Sequence, residues 1–349
     1  MSPVKILPDD FIRLTNELLC RSGVDTAEAS IIARNLVWCD QVGRYTHGVW
    51  RLAAYLKRFN LGLIQSPCNP NFEKKTEVVY IIHGNSGFGQ YLGVVAMDKA
   101  INVAKQYGIG VVGVCNSNHF GAGAYYVERA AQNAQIGLAT SNSVPHVAAY
   151  GGIPAVLGTN PFAFGVPTKD GQSVLVDFST SASAGSMIMK ALEQKKNIPE
   201  GIVIDDEGNS IVDPMLASKG TLLPFGGAKG FCMGLMVEIL SGVITGAGIS
   251  HGVASMFKDF SRAQNVGHLL MAMDISKIMP LEDYYSRMSQ LITFIKESKK
   301  MKGFDEILIP GERRWRYFEK QKQEGIQLDK KTIDALNELT KELGVATPW

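Results

Sequence analysis

Residues 107–121 read YGIGVVGVCNSNHFG, and the place of their glycines decides the fold. GIGVVG satisfies the G-x-G-x-x-G pattern of a dinucleotide-binding βαβ unit. In that unit a strand precedes the glycines and a helix follows, so that helix amides face a pyrophosphate. Here the order is reversed. The preceding QYLGVVAMDKAINVAKQY carries Val94, Met97, Ile101 and Ala104 at helical spacing, and IGVVGVC after Gly108 is a β-branched strand. Gly108 then caps a helix, while Gly110 and Gly113 are strand glycines that allow close packing. The chain has no better candidate and no G-x-x-x-x-G-K-[ST] loop. A nucleotide bound here is held by neither familiar loop.

Working outward, strands and helices alternate from VVYIIHG at 78 to HLLMAMDI at 268, between a helical first 60 residues and helical C-terminal stretches. That pattern predicts an α/β fold with helical N- and C-terminal segments. The 349 residues leave room for one large or two to three modest domains. Net charge is +2, without a basic run interleaved with aromatics, which argues against nucleic acid. The five cysteines are odd in number and lack C-x-x-C, so neither a disulfide framework nor a structural zinc site is expected, and a cytoplasmic protein is. The six histidines form no ligand-spaced pair, so no metal is expected. MSPVKILPDDFIRL lacks a signal-peptide core. The longest apolar run, at 231–249, is interrupted by Glu238 and glycines and reads as a buried helix and turn, not a membrane span.

Several short stretches carry chemistry-bearing side chains. In RYTHGVWR (44–51), His47 and Arg51 are four apart at an expected helix start, hence on one face. An imidazole exchanges protons near neutral pH, and a guanidinium fork grips a carboxylate. Together they suit a 2-oxo or 2-hydroxy acid, with Thr46 within reach of imidazole or substrate. His119 in NSNHFGAG (116–123) sits at a strand-to-helix junction, where catalytic groups concentrate. Thr159 and Asn160 lie in the GTNPF turn, and VDFSTS (176–181) ends a strand with four polar groups. PFGGAKG (224–230) leads into a helix, whose amides plus Lys229 form a candidate phosphate site. PGERRWR (310–316) offers arginines and a glutamate beside a turn.

Taken in order, YTHGVWR, NSNHFGAG, GTNPFAFGVP, VDFSTS, LLPFGGAKG and IPGER resemble the malate/L-lactate dehydrogenase family, the L-sulfolactate dehydrogenase-like nicotinamide enzymes. The resemblance spans about residues 8–325, and six ordered motifs are far more specific than any one. It implies a non-Rossmann L-sulfolactate dehydrogenase-like fold, which accounts for the misplaced glycines. It also implies an NAD(P)H-dependent 2-oxoacid reductase, working reversibly as an L-2-hydroxyacid dehydrogenase. The family also contains a cyclic-imine reductase and ureidoglycolate dehydrogenase, which stay open as alternatives, as does a lapsed enzyme that only binds nucleotide.

By motif, the resemblance makes His47 the proton donor, His119 a second acid/base candidate and Arg51 the carboxylate clamp, with Thr46 where serine is usual. Thr159 and Asn160 become substrate-side residues. Ser143, Asp177, Phe178, Ser179, Lys229, Gly311, Glu312 and Arg313 become cofactor contacts. The cofactor is NAD or NADP, with NADH favoured, and a homodimer is implied. The expected organisation is a helical segment at 1–75 packing with the C-terminal helices, a core α/β domain from 76–120 and 265–349, and an NAD(P)-binding domain at 121–264. Ser186, Ala228 and Val144 depart from residues expected at their positions, and leave the substrate and the NAD/NADP choice open.

Overall fold

The computed structural model describes residues 4–183 and 185–349, and the side chains of all of these except 185 and 186. The Ser186 departure therefore lies outside the described side chains. The chain opens with β1 (Lys5–Ile6), α1 (Pro8–Arg21), α2 (Thr26–Gln41) and α3 (Leu52–Asn60). Pro8, Asp9 and Asp10 occupy the first turn of α1, where a missing N–H is harmless and negative charge is favoured. Asp25 caps α2, accepting from the N–H groups of Ala27 (3.0 Å) and Glu28 (3.2 Å).

The middle of the chain forms β2 (Asn71–Lys74), β3 (Val79–His83), α4 (Gly89–Tyr107), β4 (Ile109–Ser117), α5 (Gly123–Gln132) and β5 (Gln135–Ser141). Then come β6 (Val147–Ala148), β7 (Ala155–Leu157), β8 (Phe162–Val166), β9 (Val174–Phe178), α6 (Gly185–Glu193), β10 (Val203–Ile204), α7 (Pro214–Ala217) and β11 (Thr221–Leu222). The chain closes with α8 (Ala228–Glu238), β12 (Val266–Asp274), α9 (Leu281–Lys296), α10 (Glu312–Glu324), β13 (Ile326–Gln327) and α11 (Lys330–Leu343).

Gly108 ends α4 at φ 89°, its N–H on the Ala104 carbonyl at 2.7 Å, and β4 begins at the next residue. The apparent fingerprint is therefore a helix cap and a strand. A Cβ on Gly110 would stand 2.3 Å from the Ala100 carbonyl oxygen, so β4 lies tight against α4. The main sheet has the order β2-β3-β4-β12-β5-β8-β9. Within it β3 and β4 run parallel, and the other neighbours run antiparallel. A dinucleotide fold built on parallel βαβ units is thereby excluded. A smaller sheet, β10-β11-β6-β7, forms a second body of structure with its own apolar core around Val147, Leu157 and Val203. β5, β8 and β9 come from the 121–264 stretch yet belong to the main sheet, while the smaller sheet is built wholly from that stretch.

The two ends of the chain share one core. β1 pairs antiparallel with β13, and Phe11, Leu18, Ile32, Leu36 and Leu52 bury against Leu336 of α11. Each such side chain contributes about 1.5–3 kcal/mol on full burial. The 231–249 stretch departs from the expected buried helix. α8 runs into a π-helical turn at Ile239–Val243, and Leu235, Ile239, Val243, Ile244 and Ile249 are all exposed. Apolarity on every side of a helix says that it will be covered, without saying by which chain.

Candidate active site

The RYTHGVWR stretch folds as two short 3₁₀ turns, Tyr45–His47 and Val49–Arg51, ahead of α3. The expectation that His47 and Arg51 share one α-helical face is corrected here. Gly48 lies between the turns with extended backbone and breaks the helical period. The cause is Asp40, buried at the end of α2. Its Oδ2 accepts from the Val49 N–H at 2.8 Å, and its Oδ1 occupies the space a Cβ on Gly48 would need, 1.9 Å away. Burial pushes the Asp40 carboxyl up to about 8.

Three sequence-predicted residues nevertheless converge. The His47 and His119 rings stack 5.5 Å apart at 21°. Each Nδ1 is held by a hydroxyl: His47 by Thr46 Oγ1 at 3.0 Å, His119 by the fully buried Tyr55 at 2.6 Å. Arg51 Nε donates to the Thr46 carbonyl oxygen, and its Nη1 reaches Met256 Sδ at 3.6 Å. The guanidinium lies beside the stacked Trp50 and Phe257 rings, 5.1 Å and 5.4 Å from their centroids. Among the described residues no carboxylate pairs with it. Burial lowers the Arg51 pKa. Burial, followed by the Arg51 charge, pulls His47 down to about 3 and His119 well below its ordinary value. Both imidazoles are therefore neutral at pH 7 while Arg51 has no counter-charge.

The GTNP turn is placed differently from a simple substrate contact. Asn160 is completely buried. Its Nδ2 donates to Glu238 Oε2 (2.7 Å) and the Gly234 carbonyl (3.0 Å), and its Oδ1 accepts from the Ser143 N–H (3.2 Å). The Thr159 N–H donates to Ser143 Oγ at 3.0 Å. Ser143, Thr159 and Asn160 thus form one polar knot tied to α8 through Glu238. Lys229 stands exposed in the first turn of α8.

A second group of predicted residues lines a cavity of about 580 Å³: Asp177, Phe178, Gly311 and Arg313, joined by Arg44 and Arg314. Asp177 Oδ2 pairs with Arg314 Nη2 at 3.0 Å, both about one-tenth exposed, and Arg44 Nη2 donates to the Asp177 carbonyl at 3.4 Å. Burial and the neighbouring Arg314 guanidinium lower the Arg44 pKa. Three arginines against one carboxylate leave the cavity with excess positive charge, relieved by an anion. Glu312 faces elsewhere, pairing with Lys296 at 2.5 Å and accepting from the Ile309 N–H. Ser179 bonds Ser181 Oγ at 3.0 Å. Neither Ser179, Lys229 nor Glu312 lines the cavity.

The sequence model of the family described as malate/L-lactate dehydrogenase matches residues 6–337. The chain belongs to this family. It is 37% identical over 344 residues to the malate/(S)-sulfolactate dehydrogenase of Methanothermus fervidus, covering 99% of each chain. Among solved structures, the sulfolactate dehydrogenase of Methanocaldococcus jannaschii superposes with a TM-score of 0.92 at 34% identity over 98% of each chain. The malate dehydrogenase of Entamoeba histolytica gives 0.94 at 29% over 100% of each. Two further relatives carry a coenzyme in their names: the ureidoglycolate dehydrogenase (NAD(+)) of Escherichia coli (29% identical) and the (2R)-3-sulfolactate dehydrogenase (NADP(+)) of Chromohalobacter salexigens (30%). These cover 88% and 90% of this chain.

In this member of the malate/L-lactate dehydrogenase family, the residues that sequence reasoning missed are supporting ones: Asp40, Tyr55, Arg44 and Arg314. Arg44 and Arg314 stood inside quoted motifs, but nothing in their spacing shows that they meet across Asp177. Tyr55 lies one turn beyond Arg51, and its link to His119 exists only in the folded chain. Among the described residues, no group of three or more potential ligands could hold a metal, and no helix is long and apolar enough to cross a membrane.

Proposed function

We propose that this chain is a cytoplasmic NAD(P)H-dependent 2-oxoacid reductase, reversible as an L-2-hydroxyacid dehydrogenase. The observation that carries the reading is Arg51: a half-buried guanidinium with no carboxylate partner among the described residues, beside two neutral histidines. A partly desolvated charge without a partner is costly, and a ligand carboxylate supplies the missing partner through two parallel hydrogen bonds. The cationic cavity around Arg44, Arg313 and Arg314 fits the phosphates of a dinucleotide, with Asp177 and Phe178 on its wall. When bound, the nicotinamide supplies the hydride for the substrate carbonyl carbon. Lys229 and the α8 amides are a second phosphate-side group, and Ser143, Thr159 and Asn160 are tied to the same helix through Glu238.

The chain's own residues handle the carboxylate and the proton. Arg51 orients the substrate, so position and charge stabilisation come from one group. Its charge is also the second cause, after burial, that holds both histidines neutral. A carboxylate on Arg51 cancels that cause and raises both pKa values. His47, oriented by Thr46, then delivers a proton to the carbonyl oxygen. His119, its Nδ1 held by Tyr55, polarises the same oxygen through Nε2. The exposed apolar face of α8 and the turn after it supports a homodimer as the working assembly.

The test is loss of reduced-nicotinamide absorbance with NADH first and NADPH separately, against 2-oxoacids and cyclic imino acids. Turnover of a 2-oxoacid is expected. Turnover confined to imines would replace the substrate class and keep the clamp. Failure to bind either nucleotide would overturn the reading.

A further inference from the structure

Arg58 of α3 is fully buried, and the mechanism above does not use it. Its partners are backbone carbonyls of one loop. Nη1 donates to the oxygens of Asp259 (2.7 Å) and Ser255 (3.3 Å), and Nη2 to that of Arg262 (2.8 Å). The Phe260 ring lies 5.7 Å from the guanidinium carbon. A guanidinium withdrawn from water is expensive unless the geometry is good, and here the Asp259 charge acts on it besides the carbonyls. In return three loop carbonyls gain a charged donor.

The loop so gripped, residues 254–264, touches both halves of the candidate active site. Met256 Sδ meets Arg51 Nη1 at 3.6 Å. Phe257 stacks on Trp50 at 6.1 Å and faces the Arg51 guanidinium. At the far end, Gln264 Oε1 accepts the His119 N–H at 3.2 Å, and its Nε2 donates to the Ala254 carbonyl at 3.3 Å, closing the loop on itself. A carboxylate on Arg51 places the substrate's third carbon within reach of this wall. The wall offers a flexible thioether and an aromatic ring, an apolar surface that adapts to shape.

We propose that loop 254–264 selects the substrate side chain, with Met256 and Phe257 as its reading surface and Arg58 as the positioning residue that holds it. This rests on Arg51 as the carboxylate clamp. The substituents it favours are uncharged aliphatic groups on the carbon next to the oxo group.

The experiment uses the full-length protein and two kinds of variant. Arg58→Met is compared with the parent for tryptic nicking after Lys258 and Arg262, both exposed within the loop. Nicking is expected to accelerate about tenfold or more, and KM for the 2-oxoacid to rise by about tenfold, the scale of one lost charged hydrogen bond. Nicotinamide-nucleotide Kd should stay within about twofold, since no part of the loop lines the cationic cavity. Met256→Ala and Phe257→Ala are compared for the ratio of kcat/KM on a branched-chain 2-oxoacid to that on pyruvate. Removing wall volume should raise that ratio about tenfold or more, as pocket methylenes do. Unchanged nicking and KM in Arg58→Met would remove Arg58 from the proposal. An unchanged ratio in both wall variants would overturn the selectivity role, and stands even if Arg58→Met fails to fold. If the parent turns over neither 2-oxoacids nor cyclic imino acids, the clamp reading falls and takes the selectivity role with it, while nicking still decides whether Arg58 pins the loop.

Discussion

Replacing Arg51 by methionine removes the guanidinium while keeping most of the side chain's volume. In the folded protein that charge is half-buried, has one backbone acceptor in Thr46 and lies near two aromatic rings. Losing a charged hydrogen bond costs about 1.5–3 kcal/mol, and losing cation–π attraction costs about 0.5–1 kcal/mol. Relief of the unpaired, half-buried charge offsets them by a comparable amount, on the order of a few kcal/mol. The melting temperature should therefore move by no more than a few degrees. Catalysis should respond very differently. The substrate carboxylate loses its only proposed counter-ion, and breaking one side of such a pair costs about 3–5 kcal/mol. That is a fall of a few hundred- to a few thousand-fold in kcat/KM. Arg51→Lys restores a point charge without the fork and should recover about half of the lost free energy. The assay is reduced-nicotinamide absorbance over a range of 2-oxoacid concentrations, beside thermal unfolding of each variant. A loss of less than tenfold in a stably folded Arg51→Met protein would refute the clamp.

Three further outcomes follow from the same geometry. In Arg51→Gln the imidazoles of His47 and His119 should titrate at higher pH than in the parent, yet still below about 6.5 because burial remains the larger cause; an unchanged or lower histidine titration by NMR would break the coupling between clamp and acid. Asp40 has its folded pKa raised to about 8 against an unfolded value near 3.8, so the folded chain binds the extra proton between those values and stability falls as pH rises through that window. Asp40→Asn, which still accepts from Val49, should flatten this loss of melting temperature between pH 4 and 8; parallel curves for the two proteins would show that Asp40 is ionised throughout. Gly48→Ala would put a Cβ 1.9 Å from Asp40 Oδ1, so it should cost at least about 2 kcal/mol by denaturant unfolding and most of the turnover, whereas near-parent values for both would mean that the two turns around Gly48 are not what seats His47 and Arg51.

Local rules were readable because neighbours carry them. The helix-to-strand switch at Gly108 shows in a change of hydrophobic period. His47 and Arg51 were legible as residue types, yet their helical spacing misled. The break at Gly48 is made by a carboxylate eight residues upstream that no periodicity reports. The apolar 231–249 run announced burial, but the described chain leaves much of it uncovered. Tyr55 meets His119 across 64 residues and Arg58 meets the Asp259 carbonyl across 201. A tyrosine and an arginine within an amphipathic helix look like ordinary half-buried positions until their partners arrive. Asn160 shows the opposite limit. Its motif pointed to the substrate, and the fold uses its whole amide to tie Ser143 to Glu238.

The site's electrostatics join binding to chemistry. With Arg51 unpaired, its charge and the surrounding burial keep two imidazoles neutral in the free enzyme, so neither holds a proton ready for a misplaced molecule. A ligand without a carboxylate leaves that arrangement as it is. A carboxylate on the guanidinium removes one positive charge from the histidines' surroundings, and each can then hold a proton at less cost. In the proposed mechanism the group that recognises the substrate is thereby the group that makes the acid available. Selectivity for the carboxylate would accordingly appear in kcat as well as KM, because the interaction is used again as charge develops on the carbonyl oxygen. The selectivity proposed for the loop held by Arg58 would add the remaining discrimination, at the one substituent that neither the clamp nor the histidines touch.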